Sequence, residues 1–149
     1  FVFLFFGLVA VSGTYYLHTG YVSINAIILG SSIGALATAI LVVNNLRDIN
    51  TDREAGKKTL AVRIGPNFIR GMFTALIFIA YALLYYLASF LVVINYSVVI
   101  LLILITVPIF IKISLDIYRL EGKDLNPLLG QVAIFIMLFS ILFTASILA

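Results

Sequence analysis

Asn44-Asn45-Leu46-Arg47-Asp48-Ile49-Asn50-Thr51-Asp52-Arg53-Glu54-Ala55-Gly56-Lys57-Lys58-Thr59 is a dense polar stretch in an otherwise apolar chain of 149 residues. Residues 21–46 before it carry no charge, and after Arg70 the next run, 71–111, carries none either. A cluster of acids and bases therefore stands where two membrane-length segments meet. Ionisable groups at such a boundary are costly, and they point to function before they point to structure.

Composition sets the class. Hydrophobic residues make up 64% of the chain and charged residues 10%, with mean hydropathy +1.24, whereas soluble domains are about one-quarter charged. The chain reads as an all-α integral membrane protein. Its uncharged runs, 1–17, 21–46, 71–111 and 125–149, compare with the ~20 residues that a spanning helix needs. The third run is long enough for two helices, with Asn95-Tyr96-Ser97 as its polar break. Five transmembrane helices are expected, near 2–18, 24–47, 70–93, 97–117 and 128–148, in a single membrane domain over 1–149. Since Phe1 opens in the middle of an apolar run, the chain is expected to be a fragment of a longer protein. The first helix lacks the basic flank and small-residue cleavage site of a signal peptide, and the lack of cysteine excludes disulfides and thiolate metal sites.

Arg47, Arg53, Lys57, Lys58, Arg63 and Arg70 lie in or beside one loop, and Lys112, Arg119 and Lys123 in or beside another. All six acids share those loops. In a five-helix reading both fall on one side, which the positive-inside rule makes cytoplasmic. The net charge of +3 is then a topology signal, and it does not imply nucleic acid as a partner. Tyr15, Tyr16, Tyr21, Tyr85, Tyr86 and Tyr96 gather at the uncharged connections as an interfacial belt. His18, the only histidine, falls among them, away from the acids, and is read as interfacial.

Helix two is rich in small residues. On a straight helix, Gly30, Gly34, Ala37, Leu41, Asn44, Asp48 and Asp52 fall within about 40° of one line. Gly30 and Gly34 suit close helix packing, while the stripe as a whole could instead leave room for a lipid tail. Pro108 is expected to kink helix four, and Asn126-Pro127 to start helix five.

Asn44, Asp48 and Asp52, spaced i, i+4, i+8, put three oxygen-bearing side chains in a row. Two carboxylates one turn apart repel unless a cation bridges them, and such ligands suit a hard divalent ion such as Mg²⁺. Mg²⁺ commonly completes its shell with substrate phosphate, so a phosphate- or diphosphate-bearing substrate is expected. Lys57, Lys58 and Arg63 follow within a dozen residues, placed to neutralise the remaining phosphate oxygens. Gly56-Lys57-Lys58-Thr59 is not a Walker A loop, because Lys58 follows the Gly-Lys pair where that loop needs Ser or Thr. The plainer alternative, an ordinary juxtamembrane loop, accounts well for Arg53, Glu54 and Arg70.

These residues resemble a known family. Residues 39–49, Thr51-Asp52-Arg53 and Ala55-Gly56-Lys57-Lys58-Thr59-Leu60-Ala61-Val62-Arg63-Ile64-Gly65 are similar to the second aspartate-rich motif of the UbiA-type membrane prenyltransferases. The similarity is greatest to the branch that prenylates 1,4-dihydroxy-2-naphthoate in menaquinone or phylloquinone synthesis. Gly13-Thr14-Tyr15-Tyr16 and Leu125-Asn126-Pro127-Leu128-Leu129 also resemble that branch. The resemblance implies a nine-helix bundle in two pseudo-repeated halves, each with one acidic motif, holding Mg²⁺ on a polyprenyl diphosphate. It implies Asn44, Asp48 and Asp52 as metal ligands, Asp48 and Asp52 as catalytic, and Arg47, Lys57, Lys58 and Arg63 as diphosphate-binding. Asn44 stands where many members carry aspartate.

The partners so implied are polyprenyl diphosphate, the aromatic acceptor, the lipid bilayer and N-terminal helices that this chain lacks, in a bacterial plasma membrane or, in a phototroph, a thylakoid. With one acidic motif the 149-residue chain is expected to be inactive alone. A phosphatidyltransferase-type enzyme would need a spaced Asp-Gly…Ala-Arg…Gly…Asp…Asp pattern that is not found. A transporter segment would need polar residues spread along its spans, where this chain has only hydroxyls and small residues.

Overall fold

The computed structural model describes residues 1–90 and 95–148. Those residues form helices and connecting turns. Phe3–Val9 is π-helical and runs directly into α1, Ala10–Thr19. Next come α2 (Ile24–Arg47), the short α3 (Ile49–Glu54) and α4 (Leu60–Ile64), α5 (Pro66–Phe90), α6 (Tyr96–Arg119) and α7 (Asn126–Leu148). A 3₁₀ turn, Gly122–Leu125, precedes α7.

Local chemistry explains the boundaries. Gly20 closes α1 at φ 76°, a left-handed conformation that glycine adopts without steric penalty. Ser23 starts α2 by accepting from the Asn25 N–H at 3.2 Å, and Asn95 does the same for α6 through Ser97 at 3.0 Å. α5 begins at Pro66, four residues before the expected start, because proline is pre-organised for the first helical position and has no N–H to leave unsatisfied. The expected third helix extended over 91–93, which lie outside the described residues. α6 runs through Pro108.

Among the described residues, four helices are long and apolar enough to cross a membrane. These are α2, α5, α6 and α7 with its preceding 3₁₀ turn. The first, Phe3–Thr19, is also apolar but falls short of the usual spanning length, and its π-helical half departs from regular α winding.

α2 is the hub, packing on the π-helical segment, α1, α5 and α7. Its face toward the first helix is built for close approach. A Cβ on Gly34 would come within 2.6 Å of the Phe3 carbonyl oxygen, and one on Gly30 within 3.0 Å of the Gly7 carbonyl oxygen. A Cβ on Gly7 would collide with the α2 backbone at Gly30 and Gly34. This part of the small-residue stripe is filled by a neighbouring helix, so close packing is its role and a lipid tail has no room there.

The opposite side of α2 meets the bulky core. Phe73, Ile77, Ala80 and Leu84 of α5 and Leu128, Val132, Phe135 and Phe139 of α7 are buried at helical spacing. Tyr81 sits among Phe110, Phe135 and Phe139, with centroids 5.5–6.3 Å apart. Its hydroxyl donates to Thr106 Oγ1 at 2.7 Å, satisfying the polar tip of an otherwise apolar ring. Ser32 donates to the Ala80 carbonyl at 3.2 Å, tying α2 to α5.

The two charged loops come together at one end of this bundle. Arg70, expected to be an ordinary loop cation, is instead buried in α5. Its Nε donates to the Ile117 carbonyl at 2.9 Å, and Nη2 reaches the Leu120 carbonyl and Glu121 Oε1 at 3.3 Å each. The side chain thus caps the C-terminal end of α6, satisfying carbonyls that no helical N–H can reach. Arg70→Met keeps the apolar stem and leaves those carbonyls unpartnered, which costs about 1–3 kcal/mol. The expected result is a lower thermal unfolding midpoint in detergent, with partial recovery in Arg70→Lys.

At the other end, Tyr15 donates to the Tyr21 hydroxyl at 2.8 Å, and the Asn95 N–H donates to the Ser146 carbonyl at 2.7 Å. Tyr16, Tyr21, Tyr85, Tyr86 and Tyr96 are exposed around this uncharged end, as an interfacial belt requires. His18 is there too, with Nδ1 2.8 Å from the Thr14 carbonyl oxygen.

Candidate functional site

The polar stretch caps the charged end of α2. At Asp48 the backbone leaves helical geometry (φ −92°, ψ 7°), which divides α2 from α3. The hydrogen-bond ladder nonetheless continues, from the Asp48 N–H to the Asn44 carbonyl at 3.1 Å and from the Asp52 N–H to the Asp48 carbonyl at 2.8 Å. Asn44, Asp48 and Asp52 therefore still stand one turn apart, as their spacing predicts.

Each carboxylate has its own base. Arg47 forks onto Asp48, Nε to Oδ1 and Nη2 to Oδ2, both at 2.7 Å. This two-pronged geometry is the strong form of the guanidinium–carboxylate pair. The Arg47 hydrogen bonds hold the Asp48 carboxyl below the usual carboxylate range despite the opposing pull of burial, and the Lys57 charge acts in the same direction. Asp52 is buried and accepts from Lys57 Nζ at 3.0 Å, while the lysine itself is 66% exposed.

A turn brings this lysine back. The Lys57 N–H donates to the Asp52 carbonyl at 2.8 Å, and Gly56 at φ 69° supplies the left-handed residue that reverses the chain. Lys57 thus folds over Asp52 and still acts on Asp48. Of the four bases expected at the site, the structure joins Arg47 and Lys57 to the carboxylates, while Lys58 and Arg63 are exposed and make no ion pair among the described residues.

The arrangement suits a cation that brings its own ligands. Among the described residues no three acidic, histidine or cysteine side chains are grouped tightly enough to hold a metal ion. Two carboxylates one turn apart match the one or two protein ligands that Mg²⁺ usually takes when substrate phosphate supplies the rest. The donor set therefore fits Mg²⁺ with a phosphate-bearing ligand better than a metal held by protein alone.

Two contributors were not expected. Asn126, read in the sequence as a helix start and as part of a stretch resembling the family but given no role at the site, accepts from Arg47 Nη1 at 3.2 Å across 79 positions of chain. Lys123 lines a cavity of about 480 Å³ beside Asp48, together with Arg47, Asn50, Thr51 and Asn126. The local signal was the polar run Glu121–Asn126 ahead of a helix, which by itself does not say what it faces. A separate apolar cavity of about 640 Å³ lies at the tyrosine end, between Tyr15, His18, Asn25, Leu29, Leu87 and Phe143.

Comparison with known proteins identifies the family. The model of the UbiA prenyltransferase family matches residues 1–129. The chain is 38% identical over 148 residues to a 1,4-dihydroxy-2-naphthoate octaprenyltransferase of Haemophilus influenzae, an alignment covering 99% of this chain and 47% of the relative. It is 50% identical over 76 residues to the protein of that name from Mycobacterium leprae, covering 51% of this chain and 26% of the relative. To the UbiA prenyltransferase domain-containing protein 1 of Gallus gallus it is 34% identical over 103 residues, 69% of this chain and 29% of the relative. No solved structure matches. The chain spans about half the length of the Haemophilus relative or less of the others, and it belongs to the UbiA prenyltransferase family.

Proposed function

We propose that this chain is the C-terminal part of an enzyme that transfers a polyprenyl group from polyprenyl diphosphate to an aromatic quinone precursor. The acceptor in this reading is 1,4-dihydroxy-2-naphthoate, which loses its carboxyl group. The observation that carries the proposal is the pair Asp48 and Asp52, one turn apart at the end of a membrane-length helix and each already held by a base. Similarity over nearly the whole chain to a naphthoate octaprenyltransferase supports the substrate class. The phosphatidyltransferase and transporter readings gain nothing from these comparisons.

Asp48 and Asp52, with Asn44, would hold Mg²⁺ against the diphosphate. Bound there, the ion supplies charge neutralisation for the leaving group. The chain's own bases do the rest. Arg47 and Lys57, which neutralise the carboxylates in the structure, would be close enough to share their positive charge with the diphosphate oxygens. Lys58 and Arg63, exposed on the segment that follows, would add positive charge for the same group. The allylic C–O bond breaks with its electron pair leaving on the diphosphate, the acceptor ring carbon forms the new C–C bond, and the ring regains aromaticity as the carboxylate departs as carbon dioxide, the electrons of its C–C bond returning to the ring.

The whole enzyme is a nine-helix bundle in two halves. In this reading the chain contributes four helices of spanning length and the shorter first helix, and the first acidic motif comes from the half corresponding to the remainder of its relatives. The charged end faces the cytoplasm of a bacterial plasma membrane, or the equivalent side of a thylakoid. Two measurements test the proposal. The full-length protein transfers labelled polyprenyl to dihydroxynaphthoate, stops with EDTA and resumes with Mg²⁺, whereas metal-independent transfer overturns the metal's role. The 149-residue chain alone shows no transfer, and detectable product from it overturns the need for the other half.

A further inference from the structure

We infer that Asn126 is a positioning residue for the proposed diphosphate site: its side-chain amide oxygen holds the Arg47 guanidinium at the end of α2 by a contact that does not depend on Asp48. The inference rests on the prenyl-transfer reading above and deepens it by adding to the site a residue from α7.

Arg47 needs such a holder. Successive residues of a helix point about 100° apart, and neighbours at i and i+1 do not face each other. Arg47 nonetheless forks onto Asp48 through Nε and Nη2 at 2.7 Å each. The nitrogen that this fork leaves unused, Nη1, donates to Asn126 Oδ1 at 3.2 Å. The guanidinium is thus fixed between two helices by all three of its nitrogens. Fixing a long arginine side chain costs rotamer entropy, and an acceptor on a separate element keeps it in place when Asp48 is engaged elsewhere. In the proposed reaction Asp48 is a metal ligand, so a guanidinium tied to Asp48 alone would lose its anchor in the state where its charge is needed.

The surroundings of Asn126 make it a firm support. Leu125 and Leu128, on either side of it, are fully buried, and Pro127 fixes its own backbone torsion between them. Upstream, Arg70 binds the Leu120 carbonyl and Glu121, so the segment that carries the amide is held at both ends. The contact to Arg47 is the only side-chain hydrogen bond of Asn126 among the described residues. Its chemistry is suited as well. An amide oxygen orders the arginine without placing another carboxylate beside an anionic ligand, as aspartate at this position would. With three of the five guanidinium N–H groups used, two remain for phosphate oxygens, which arginine commonly binds in pairs.

The test uses the full-length enzyme with Mg²⁺ and farnesyl thiodiphosphate, a probe inert to transfer, whose affinity is measured by calorimetry. Asn126→Leu keeps the volume and removes the acceptor. It is expected to weaken binding about tenfold, the scale of a hydrogen bond to a charged group. Its unfolding midpoint should stay close to that of the wild type, because Asn126 is exposed. Asn126→Ala, with a smaller side chain, is expected to show the same loss. In an Arg47→Met background, Asn126→Leu is expected to change the affinity by less than about twofold, since a residue that acts through another has no effect once that one is gone. Affinity close to wild type for both Asn126 variants, or an equal loss with and without Arg47, overturns the positioning role. A wild type that binds the probe but transfers no prenyl group overturns the reaction, while coupling between Asn126 and Arg47 would still establish the positioning role. A wild type that does not bind the probe overturns both.

Discussion

Asp52→Ala in the full-length protein is expected to lower prenyl transfer by on the order of a hundredfold or more, the scale seen when a group that stabilises transition-state charge is removed. Asp52 is the buried member of the pair, and its carboxylate is held from one side by Lys57 at 3.0 Å. Removing it frees a lysine that is already 66% exposed and can take up water. The cost to folding is therefore small, and the loss should fall on activity. Asp52→Asn, which keeps shape and one oxygen, separates charge from packing. Asp48→Ala should behave alike. The measurement is initial rate alongside thermal unfolding in detergent, and near-wild-type rates from a folded Asp52→Ala protein would remove Asp52 from the mechanism.

Gly34→Ala is expected to be destabilising although alanine is the better helix former by ~1 kcal/mol. The added carbon would lie 2.6 Å from the Phe3 carbonyl oxygen and 3.1 Å from the Gly7 Cα. These are backbone atoms that cannot rotate away, so the first helix must shift as a body. Overpacking of this kind costs about 1–3 kcal/mol. Gly7→Ala should do at least as much, since its new carbon meets the α2 backbone at both Gly30 and Gly34. Gly13→Ala is the control, because a carbon there meets nothing within 4 Å and should be neutral or slightly stabilising. Unfolding midpoints of the three variants check the order. Equal midpoints for Gly34→Ala and Gly13→Ala would mean that the close approach does not contribute to stability.

The four long helices were legible because each is built on an uncharged run of about spanning length, and in lipid a backbone must satisfy its hydrogen bonds internally. The row Asn44, Asp48, Asp52 was legible for a related reason: i, i+4 spacing is local, and local hydrogen bonds preserve it even across the break at Asp48. Lys57 and Lys58 show where local reading stops. Adjacent lysines are equivalent in sequence, and it is the left-handed turn at Gly56 that brings Lys57 to Asp52, while Lys58 stays exposed. Arg70 was read as a loop charge, because nothing nearby in sequence reveals that the carbonyls it caps belong to residues 47 and 50 positions away.

The sequence by itself thus determined the membrane class, the helical segments and the acidic row, since these follow from composition and from spacings within a single turn or span. Only the tertiary structure decided that three glycines lock the first helix to α2, that Arg70 caps α6, and that Asn126 and Lys123 face Asp48. Those pairings depend on which helix faces meet across long separations in the chain, and a pattern confined to one helix carries no information about its neighbour.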